Sequence, residues 1–514
     1  MPRPLLYLLV LTAGMTTMAT EMSGSRLIAP YFGNSLFIWA NLIGLILIYL
    51  TLGYYLGGRL ADRRPEPRLL CWLTLAAAAS IAALPFVARP IMSLAIRGLE
   101  TVSAGAFLGS FAVTVLLFAI PVTILGMVPP FAIRLRLTGV ETAGNVAGSL
   151  YALSTAGSIA GTFLPVLVLI PWVGTRDTML LFAAALALIS AAGLGRGLWL
   201  GAPLAILAGL AIPQGVIKPD ANAIFETESP YHYIQVTREN GTTFLKLNEG
   251  WAIHSEYNPD RILTGAYWDY FNVAPWFAAD RPPEEALVIG NAAGTIPREL
   301  THYYPDIKID GIEIDPDIVD AGRRFFDMNE PNLTVHVTDG RPFLRTSDKN
   351  WDFIAVDAFR QPYIPFYLTT REFFEDVRGH LTDEGAVMIN VGKTPGDSDV
   401  ADAIAATMRD VFPSVYSFSV GQFNQLVVAT KQPTSANDLA GRIPADYQDS
   451  QSPVATEVPS RKKDGPMPPD VARLAGQVSS RVEEVQPGGA ILTDDKAPVE
   501  WLTDQMIIHY ATQE

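Results

Sequence analysis

The apolar positions of the first 213 residues form seven long runs, whereas those of the remaining chain come in short alternating stretches. Each run has a length that suits a membrane-spanning helix, which needs about 20 mainly apolar residues. The pattern therefore predicts a multi-span α-helical membrane domain in the first part of the chain. The runs lie near residues 5–22, 36–58, 69–88, 103–126, 147–170, 178–194 and 198–213.

Small residues recur at helical spacing within the fifth run. Residues of this kind let two helices approach closely in lipid, where close packing drives helix association. We therefore expect the fifth run to pack against a neighbouring helix. One row consists of Gly148, Ala152, Ala156 and Ala160, and a second row consists of Gly157 and Gly161.

The second part of the chain alternates short strands with helices. Residues 222–256 show period-two alternation, and Asn240-Gly241 within them predicts a hairpin. A helical stretch over 263–277 leads into further strands and helices, whose alternation predicts a doubly wound parallel sheet. The strands are expected at 286–289, 308–314, 334–337, 353–356, 386–390, 415–418 and 425–429, and the helices at 295–304, 370–380 and 400–411.

The stretch from Ala286 to Asp315 organises this second part. A buried strand runs into the turn GNAAG, from Gly290 to Gly294, and a helix and a second strand follow. That second strand ends at the acid Glu313. A nucleoside-binding βαβ unit needs this order, because the turn admits the ligand and the acid accepts hydrogen bonds from ribose hydroxyls. An ordinary βαβ unit without a ligand is the alternative interpretation.

Polar or glycine positions follow four successive predicted strands. Asp339 and Asp357 stand at two of these strand ends, as Gly290 and Glu313 do at the other two. Ligands of doubly wound sheets bind beyond the carboxyl ends of the strands, so we predict one nucleoside-binding cleft there. The predicted nucleoside-binding residues are Gly290, Asn291, Gly294, Glu313, Asp339 and Gly340.

Charge is divided unevenly along the chain. Residues 1–217 hold 12 Lys and Arg against 6 Asp and Glu, whereas residues 218–514 hold 25 against 46, and the whole chain has a net charge of −15. The excess of acidic residues in the second part argues against nucleic acid as its partner. The lone cysteine, Cys71, excludes an intramolecular disulfide and disfavours a cysteine metal site. We predict no metal site.

The arginines of the short loops indicate how the helices would cross a membrane. With a cytoplasmic N-terminus, eight arginines lie inside and four outside, which the positive-inside rule favours. Seven crossings would then place the second part outside, although the nucleosides that such a cleft would bind are made inside the cell. Either one run (5–22 or 198–213) does not cross, or the second part faces outward. The eight are Arg3, Arg59, Arg63, Arg64, Arg68, Arg134, Arg136 and Arg196, and the four are Arg26, Arg89, Arg97 and Arg176.

These patterns divide the chain into five parts. Pro, Ser, Asp and Lys enrich one of them, 433–487, which is expected to be mobile and partly disordered. The last part is apolar enough to dock on the fold. Asp494 and Asp495 within it are expected to be solvated turn acids, and a position in the cleft is the alternative. The parts are a transmembrane domain of six to seven helices (1–217), a small β-domain with a connecting helix (218–280), a Rossmann-like nucleoside-binding domain (281–432), the mobile excursion (433–487) and the docking segment (488–514).

The residues at the strand ends resemble those of the spermidine synthase family over roughly 222–430. The resemblance implies a methyltransferase-like Rossmann fold behind a small β-domain, and a preceding membrane region is a known arrangement in bacterial relatives. It also implies that Glu313 of GIEID binds the ribose of decarboxylated S-adenosylmethionine and that Asp339 of DG binds the adenine amine. Asp357 of VDAFR would deprotonate the attacking amine, and Tyr267 of AYWDYF would border the amine site.

Two positions depart from the family. Its glycine loop reads GGGDG, with an Asp that holds the aminopropyl ammonium, whereas this chain has Ala293 at that place. The second Asp of its D-x-x-D motif, which helps to hold the acceptor amine, is Arg360 here. A cation would lose one counter-charge and meet a like charge. Arg360 suits an anionic or carbonyl-bearing group, or it pairs with Asp357. We expect a retained nucleoside pocket and an altered diamine pocket.

Polar and aromatic residues of three further stretches are expected to complete the cleft. They are LNEGWAIHSEY, AYWDYF and RQPYIPFYLTTREFF, the last of which replaces the family's gate loop. His254 is a candidate base because an unperturbed histidine has a pKa of about 6.5, and a structural histidine is the alternative. The catalytic candidates are Asp357, His254 and Asp269, and the substrate-binding candidates are Glu249, Tyr267, Trp268, Arg360 and Tyr363.

Three kinds of function remain open from the sequence. The first is a membrane-anchored transferase that uses an S-adenosyl nucleoside as co-substrate, without a metal. It would carry out aminopropyl transfer from decarboxylated S-adenosylmethionine to an amine, or methyl transfer from S-adenosylmethionine to a small nucleophile. The second is an outward-facing, nucleoside-independent enzyme that acts on an envelope glycan. The third is a non-catalytic membrane sensor or scaffold. The lipid bilayer is an expected partner in each, and a homodimer is left open.

Overall fold

The chain folds as two compact units in its computed structural model. One unit comprises Met1–Pro219 with Glu228–Tyr233, and the other comprises Asp220–Thr227 with Ile234–Glu514. The structure describes residues 1–32, 36–99, 105–195, 197–212, 217–218, 220–248, 250, 252–360, 362–447 and 467–513.

The described residues up to 212 are helical almost throughout. A π-helical segment, Pro165–Leu169, joins the sixth helix to the seventh, and the backbone of Gly174 (φ 81°, ψ 171°) interrupts the seventh near its start. The helices are α1 (Arg3–Phe32), α2 (Leu36–Arg63), α3 (Pro67–Leu99), α4 (Gly105–Gly126), α5 (Val128–Arg136), α6 (Ala143–Leu164), α7 (Ile170–Leu194) and α8 (Gly201–Ala208).

Five helical stretches in the described ranges are long and apolar enough to cross a membrane, by length and composition. The predicted runs 147–170 and 178–194 lie together in one of them, which has 55 residues and would extend about 80 Å if straight. That length suffices for two crossings. Run 198–213 forms only a short helix, Gly201–Ala211, of about 16 Å, which is half of a bilayer core. The five are Arg3–Tyr31, Ile38–Arg63, Pro67–Met92, Phe111–Arg136 and Val140–Leu194.

Helices α1 and α6 approach closely along one of the two predicted glycine and alanine rows. A Cβ atom on Gly157 would collide with the carbonyl of Leu11, and one on Gly161 would collide with that of Met15. The prediction of close packing is thus confirmed for this row. It is wrong for the other row, because Gly148 faces open space and Ala152 with its two partners is exposed.

The second unit contains two sheets and nine described helices. The strands are β1 (Ala223–Glu228), β2 (Tyr233–Glu239), β3 (Thr242–Leu247), β4 (Ile253–Tyr257), β5 (Glu285–Ile289), β6 (Lys308–Glu313), β7 (Leu333–Val337), β8 (Trp351–Val356), β9 (Leu381–Gly392), β10 (Ser414–Val420), β11 (Asn424–Thr430) and β12 (Glu483–Glu484). The helices are α9 (Pro275–Ala278), α10 (Thr295–Tyr303), α11 (Pro316–Phe325), α12 (Gly340–Thr346), α13 (Arg371–Gly379), α14 (Asp399–Val411), α15 (Ala436–Arg442), α16 (Pro469–Ser479) and α17 (Val499–Gln513).

The small sheet has the order β1-β2-β3-β4, with β2, β3 and β4 antiparallel. The predicted hairpin is confirmed, since Asn240 (φ 49°) and Gly241 (φ 82°) turn the chain between β2 and β3. Two consecutive positive φ angles are the requirement of a type I′ turn, which asparagine and glycine meet most readily. The predicted helix over 263–277 is shorter and tighter than expected, a 3₁₀ segment (Tyr267–Val273) followed by α9.

The large sheet has the order β12-β10-β11-β9-β8-β5-β6-β7 and a Rossmann-like arrangement of the methyltransferase type. Strands β7, β6, β5, β8 and β9 are parallel, as predicted. The prediction of an all-parallel sheet is wrong at the other edge, where β11 and β10 run antiparallel. A tight turn at Gly421 (φ 61°) joins these two strands, and a short turn can only join antiparallel neighbours.

Strand β5 is buried on both faces of this sheet. Ala286 and Val288 pack into one hydrophobic core, whereas Leu287 and Ile289 pack into another on the opposite face. A strand covered by helices on both faces needs an uninterrupted apolar run, which is what the sequence shows there. This double burial fixes the position of the turn that follows the strand.

The chain after β11 is more ordered than its composition indicated. Within 433–487, the described residues form α15 and α16, and α16 buries Val471, Leu474 and Val478 in one of the two cores. These apolar positions have helical spacing, which outweighs the polar composition of the segment. The part of the predicted mobile excursion over 448–466 lies outside the described residues.

Replacement of both Gly157 and Gly161 by Leu should force α1 and α6 apart. Overpacking of this kind typically costs about 1–3 kcal/mol, so we expect the melting temperature of the full chain in detergent to fall by several degrees. Tryptophan fluorescence during heating measures it. The control Gly148→Leu adds the same side chain to open space in the same helix and should change stability by less than about 0.5 kcal/mol. Equal losses in both variants would contradict a packing role.

Candidate functional site

The turn after β5 follows a path that only glycine allows at its first residue. Gly290 has φ 88°, and a Cβ atom there would collide with the main-chain carbonyl of Asp357. Its amide and that of Asn291 both donate to the carbonyl of Ile312, at 3.0 and 2.9 Å. The turn is therefore fastened to the ends of β6 and β8, its two neighbours in the sheet.

The other predicted turn residues support the turn from within. The side-chain amide of Asn291 donates to the Ala292 carbonyl and to the sulfur of Met328, both at 3.1 Å, and the side chain is buried. Gly294 (φ 93°) precedes α10, and a Cβ atom on it would lie 2.7 Å from the Met328 side chain. Both residues thus pack against Met328 and shape the turn.

Glu313 is buried at the end of β6 and contacts the turn directly. Its Oε2 accepts from the amide of Ala292 at 2.9 Å, and its Oε1 accepts from the amide of Asp315 at 3.0 Å. Asp315 itself caps α11 by accepting from the amide of Asp317. Two backbone amides hold the Glu313 carboxylate in one orientation beside the turn, as an acid that recognises a ribose requires.

Asp339 and Gly340 stand at the end of β7, where α12 begins. Asp339 caps this helix, since its Oδ1 accepts from the amide of Arg341 at 3.0 Å. Its Oδ2 accepts from the hydroxyl of Tyr367 at 2.8 Å. Gly340 packs on the end of β5, because a Cβ atom there would collide with the side chain of Ile289. The helix and its capping acid therefore lie close to the β5 turn.

Asp357 follows β8 and accepts three side-chain hydrogen bonds. Oδ2 accepts from the hydroxyl of Tyr267 and from the indole nitrogen of Trp268, both at 3.1 Å. Oδ1 accepts from the amide nitrogen of Asn390 at 3.0 Å. All three donors are neutral groups, so the carboxylate is oriented without a cation in contact with it.

Burial raises the pKa of Asp357 to about 6, although the bonds from Asn390, Tyr267 and Trp268 act in the opposite direction. Burial and the neighbouring carboxylate also raise the pKa of Tyr267 well above its ordinary value. The tyrosine therefore stays a neutral hydrogen-bond donor. A carboxylate with a pKa near neutrality, held in place at a strand end, is suited to accept a proton from a reacting group.

Asn390 is a site residue that the sequence analysis missed. It lies on β9, directly beside β8, and its own oxygen accepts from the Asn424 side chain at 3.0 Å. The second asparagine fixes the amide so that nitrogen faces Asp357. The sequence carried a usable signal, because the predicted strand 386–390 ended on this polar residue.

Arg360 and Tyr363 lie on the loop after β8, and neither contacts Asp357. The Arg360 side chain is exposed, and only its main chain pairs with Tyr363, at 2.7 and 3.2 Å. The expected pair between Arg360 and Asp357 is therefore absent among the described residues. Tyr363 is buried, and its hydroxyl donates to Asp504 on α17 at 2.6 Å. This tyrosine anchors the loop rather than facing an open cleft.

The remaining catalytic candidates are Asp269 and His254. Asp269 is buried, and its carboxylate accepts from the amide and hydroxyl of Thr264 and from the amide of Gly265, at 2.7–2.8 Å. It closes the loop that carries Tyr267 and Trp268. His254 lies on β4. Glu249 lies outside the described residues.

Ala293 stands where the family's ammonium-binding Asp is expected. It is 2% exposed and packs in a hydrophobic cluster with Ile234, Val236 and Ile318. Its amide donates to the Ser255 hydroxyl at 2.9 Å. The Ala293 side chain therefore packs against apolar residues and offers no counter-charge of its own.

Residues 274–427 match the spermine/spermidine synthase domain. The family resemblance drawn from the strand-end residues is therefore confirmed over this range. The matched range begins just before β5 and ends within β11, so it includes Gly290, Glu313, Asp339 and Asp357.

The chain is also similar to two named relatives. A probable polyamine aminopropyl transferase of Bifidobacterium longum is 32% identical over 291 residues, which are 55% of this chain and 63% of that protein. A polyamine aminopropyltransferase of Vibrio vulnificus is 35% identical over 144 residues, 27% of this chain and 47% of that protein. The chain thus spans less than two thirds of either relative. These relatives are enzymes.

One solved structure aligns with slightly less than half of the chain. The crystal structure of a probable spermidine synthase from Corynebacterium glutamicum is 19% identical and aligns with a TM-score of 0.38. The alignment covers 46% of this chain and 90% of that one.

Proposed function

We propose that the second unit transfers an aminopropyl group from decarboxylated S-adenosylmethionine to an amine. The observation that carries the proposal is the environment of Asp357, a buried carboxylate oriented by Tyr267, Trp268 and Asn390 beside the glycine turn. The acid Glu313 is fastened to the same turn. The named relatives, which are aminopropyltransferases, support the same reaction.

Each residue would have one task in this reaction. Glu313 would accept hydrogen bonds from the ribose hydroxyls, and Asp339 would accept one from the adenine amine. The sulfonium of the donor supplies an electrophilic carbon. Asp357 would accept a proton from the acceptor amine, whose nitrogen then forms the bond to that carbon as the carbon–sulfur bond breaks. The products are the aminopropylated amine and 5′-methylthioadenosine, and Asp357 afterwards releases the proton.

Methyl transfer from S-adenosylmethionine is a second candidate, and Ala293 favours it. An aminopropyl donor ends in an ammonium, which needs a counter-charge when it leaves water. The apolar cluster around Ala293 provides none at that position. Both candidates need the same nucleoside pocket and the same base, so the identity of the transferred group separates them.

Calorimetric titration of the purified chain with 5′-methylthioadenosine should show binding. Glu313→Gln should weaken it by about tenfold, because an amide cannot accept hydrogen bonds at both positions. Asp357→Asn should keep the binding and lower turnover of decarboxylated S-adenosylmethionine with a diamine by about 10²–10⁴-fold. The control Asp320→Asn removes an exposed acid on α11 that pairs with Arg324 and should change neither quantity. Absence of binding of both this nucleoside and S-adenosylmethionine would refute the transferase.

The pH dependence of turnover should report the ionisation of Asp357. Only the carboxylate accepts a proton, so kcat/KM should fall as the pH drops through about 6 and stay level above it. Tyr267→Phe removes a donor that stabilises the carboxylate, so the pKa rises and the acid limb moves to higher pH. Tyr270→Phe is the matched control, because that hydroxyl bonds Gln477 at 3.0 Å instead. An acid limb that stays in place in Tyr267→Phe would contradict the assignment of Asp357.

We also propose that the first unit spans the membrane with the synthase domain in the cytoplasm. The loop between α2 and α3 carries Arg64, with Arg63 at the end of α2 and Arg68 at the start of α3, and belongs inside by the positive-inside rule. Four crossings would follow it, by α3, α4, α6 and the part of α7 after Gly174. An even number returns the chain to the cytoplasm, where the nucleoside is available.

A green fluorescent protein fused after residue 513 should therefore fluoresce, since this protein matures in the cytoplasm and not after export through the bacterial secretion channel. An alkaline phosphatase fusion at the same place should be inactive. The same enzyme inserted between α3 and α4 should be active. The opposite result at the C-terminal fusion would favour the outward-facing glycan enzyme.

A further inference from the structure

A bidentate salt bridge joins α12 to the C-terminal segment, outside the matched range 274–427. The guanidinium of Arg341 donates to both carboxylate oxygens of Asp494, at 2.7 and 2.8 Å. Arg341 is 7% exposed, so its charge is largely removed from water. Two parallel bonds between a guanidinium and a carboxylate fix orientation as well as supply energy.

Arg341 takes part in both hydrogen bonds that Asp339 accepts, because it donates one of them and bonds the residue that donates the other. Its backbone amide donates to Asp339 Oδ1 at 3.0 Å. Its guanidinium donates to the carbonyl of Tyr367 at 3.1 Å, and the hydroxyl of Tyr367 donates to Asp339 Oδ2 at 2.8 Å. These bonds form a closed ring of three residues around the carboxylate, and Asp494 holds the ring from outside.

Asp494 is itself held in one orientation. Its Oδ1 also accepts from the hydroxyl of Thr370 at 2.7 Å, and its amide donates to Glu372 at 3.0 Å. Asp495, the next residue, is exposed and makes no side-chain hydrogen bond or salt bridge among the described residues. Both neighbouring acids are exposed, but only Asp494 has side-chain hydrogen-bond partners among the described residues.

We propose that Asp494 is a positioning residue of the nucleoside pocket, acting on Asp339 through Arg341 and Tyr367. The inference rests on the proposed function, in which Asp339 receives the adenine amine. Without Asp494, the nearest acid left to the buried guanidinium is Asp376, whose carboxylate lies 3.6 Å from it. The arginine, which has then lost both hydrogen bonds to Asp494, can release Tyr367 and pair with Asp339. This pairing would occupy the acid that the adenine amine needs.

The test compares two asparagine substitutions in adjacent positions. Asp494→Asn should raise the Kd for 5′-methylthioadenosine by about tenfold in calorimetric titration, about the effect of losing one hydrogen bond to a charged group. Asp495→Asn should leave it unchanged. Asp494→Glu, which keeps the charge, should restore most of the affinity.

A double-mutant cycle with Asp339→Asn separates positioning from a general loss of structure. If Asp494 acts through Asp339, then Asp494→Asn should cause little further loss in an Asp339→Asn background. An equal further loss in that background, or equal behaviour of Asp494→Asn and Asp495→Asn, would overturn the inference while the proposed function stands. Absence of nucleoside binding in the unaltered chain would overturn both.

Discussion

The candidate site depends on the close approach of two main chains, at Gly290 and Asp357. Strands β5 and β8 run side by side and in parallel, so their carboxyl ends come together. The chain after β5 can turn across the end of β8 only where no Cβ atom intervenes, and Gly290 with its φ of 88° provides that place. Because β5 is buried on both faces, the turn cannot relax away from its neighbour. The carboxylates of Glu313 and Asp357 are thereby brought to opposite sides of one turn.

The alternation of strands and helices is sufficient to predict where this turn lies. Acids at the ends of β6, β7 and β8 could be identified from the sequence, because the length and apolar character of each strand define its end. The contacts of individual side chains could not be predicted. The indole nitrogen of Trp268, a substrate-binding candidate, bonds Asp357, and the carboxylate of Asp269, a catalytic candidate, bonds the amide of Gly265 in its own loop. Which way a side chain points on a 3₁₀ turn depends on packing that no periodicity reveals.

The two departures from the family pattern have different structural consequences. Ala293 packs with apolar residues of the small sheet and of α11, and its methyl group supplies no counter-charge for an ammonium. Arg360, in contrast, is exposed and leaves the neighbours of Asp357 unaffected. A like charge at some distance in water is strongly screened, so Arg360 opposes a cationic acceptor less than its sequence position indicated. Of the two changes, the one at Ala293 bears more directly on the group that is transferred.

The C-terminal segment makes ordered contacts that the composition of the chain does not reveal. Residues 488–514 lie outside the matched range, yet Asp494 bonds Arg341 on α12 and Asp504 bonds Tyr363 on the loop after β8. Arg341 and Tyr363 are both buried, and a buried polar group without a partner is costly. The docked C-terminal segment therefore stabilises both α12 and the loop after β8. A domain cut at the end of the matched range would lose the last residues of β11 and all of β12, although it would keep the acids at the ends of β6, β7 and β8. It would lose the contacts that hold the loop, and with them the geometry around Asp339.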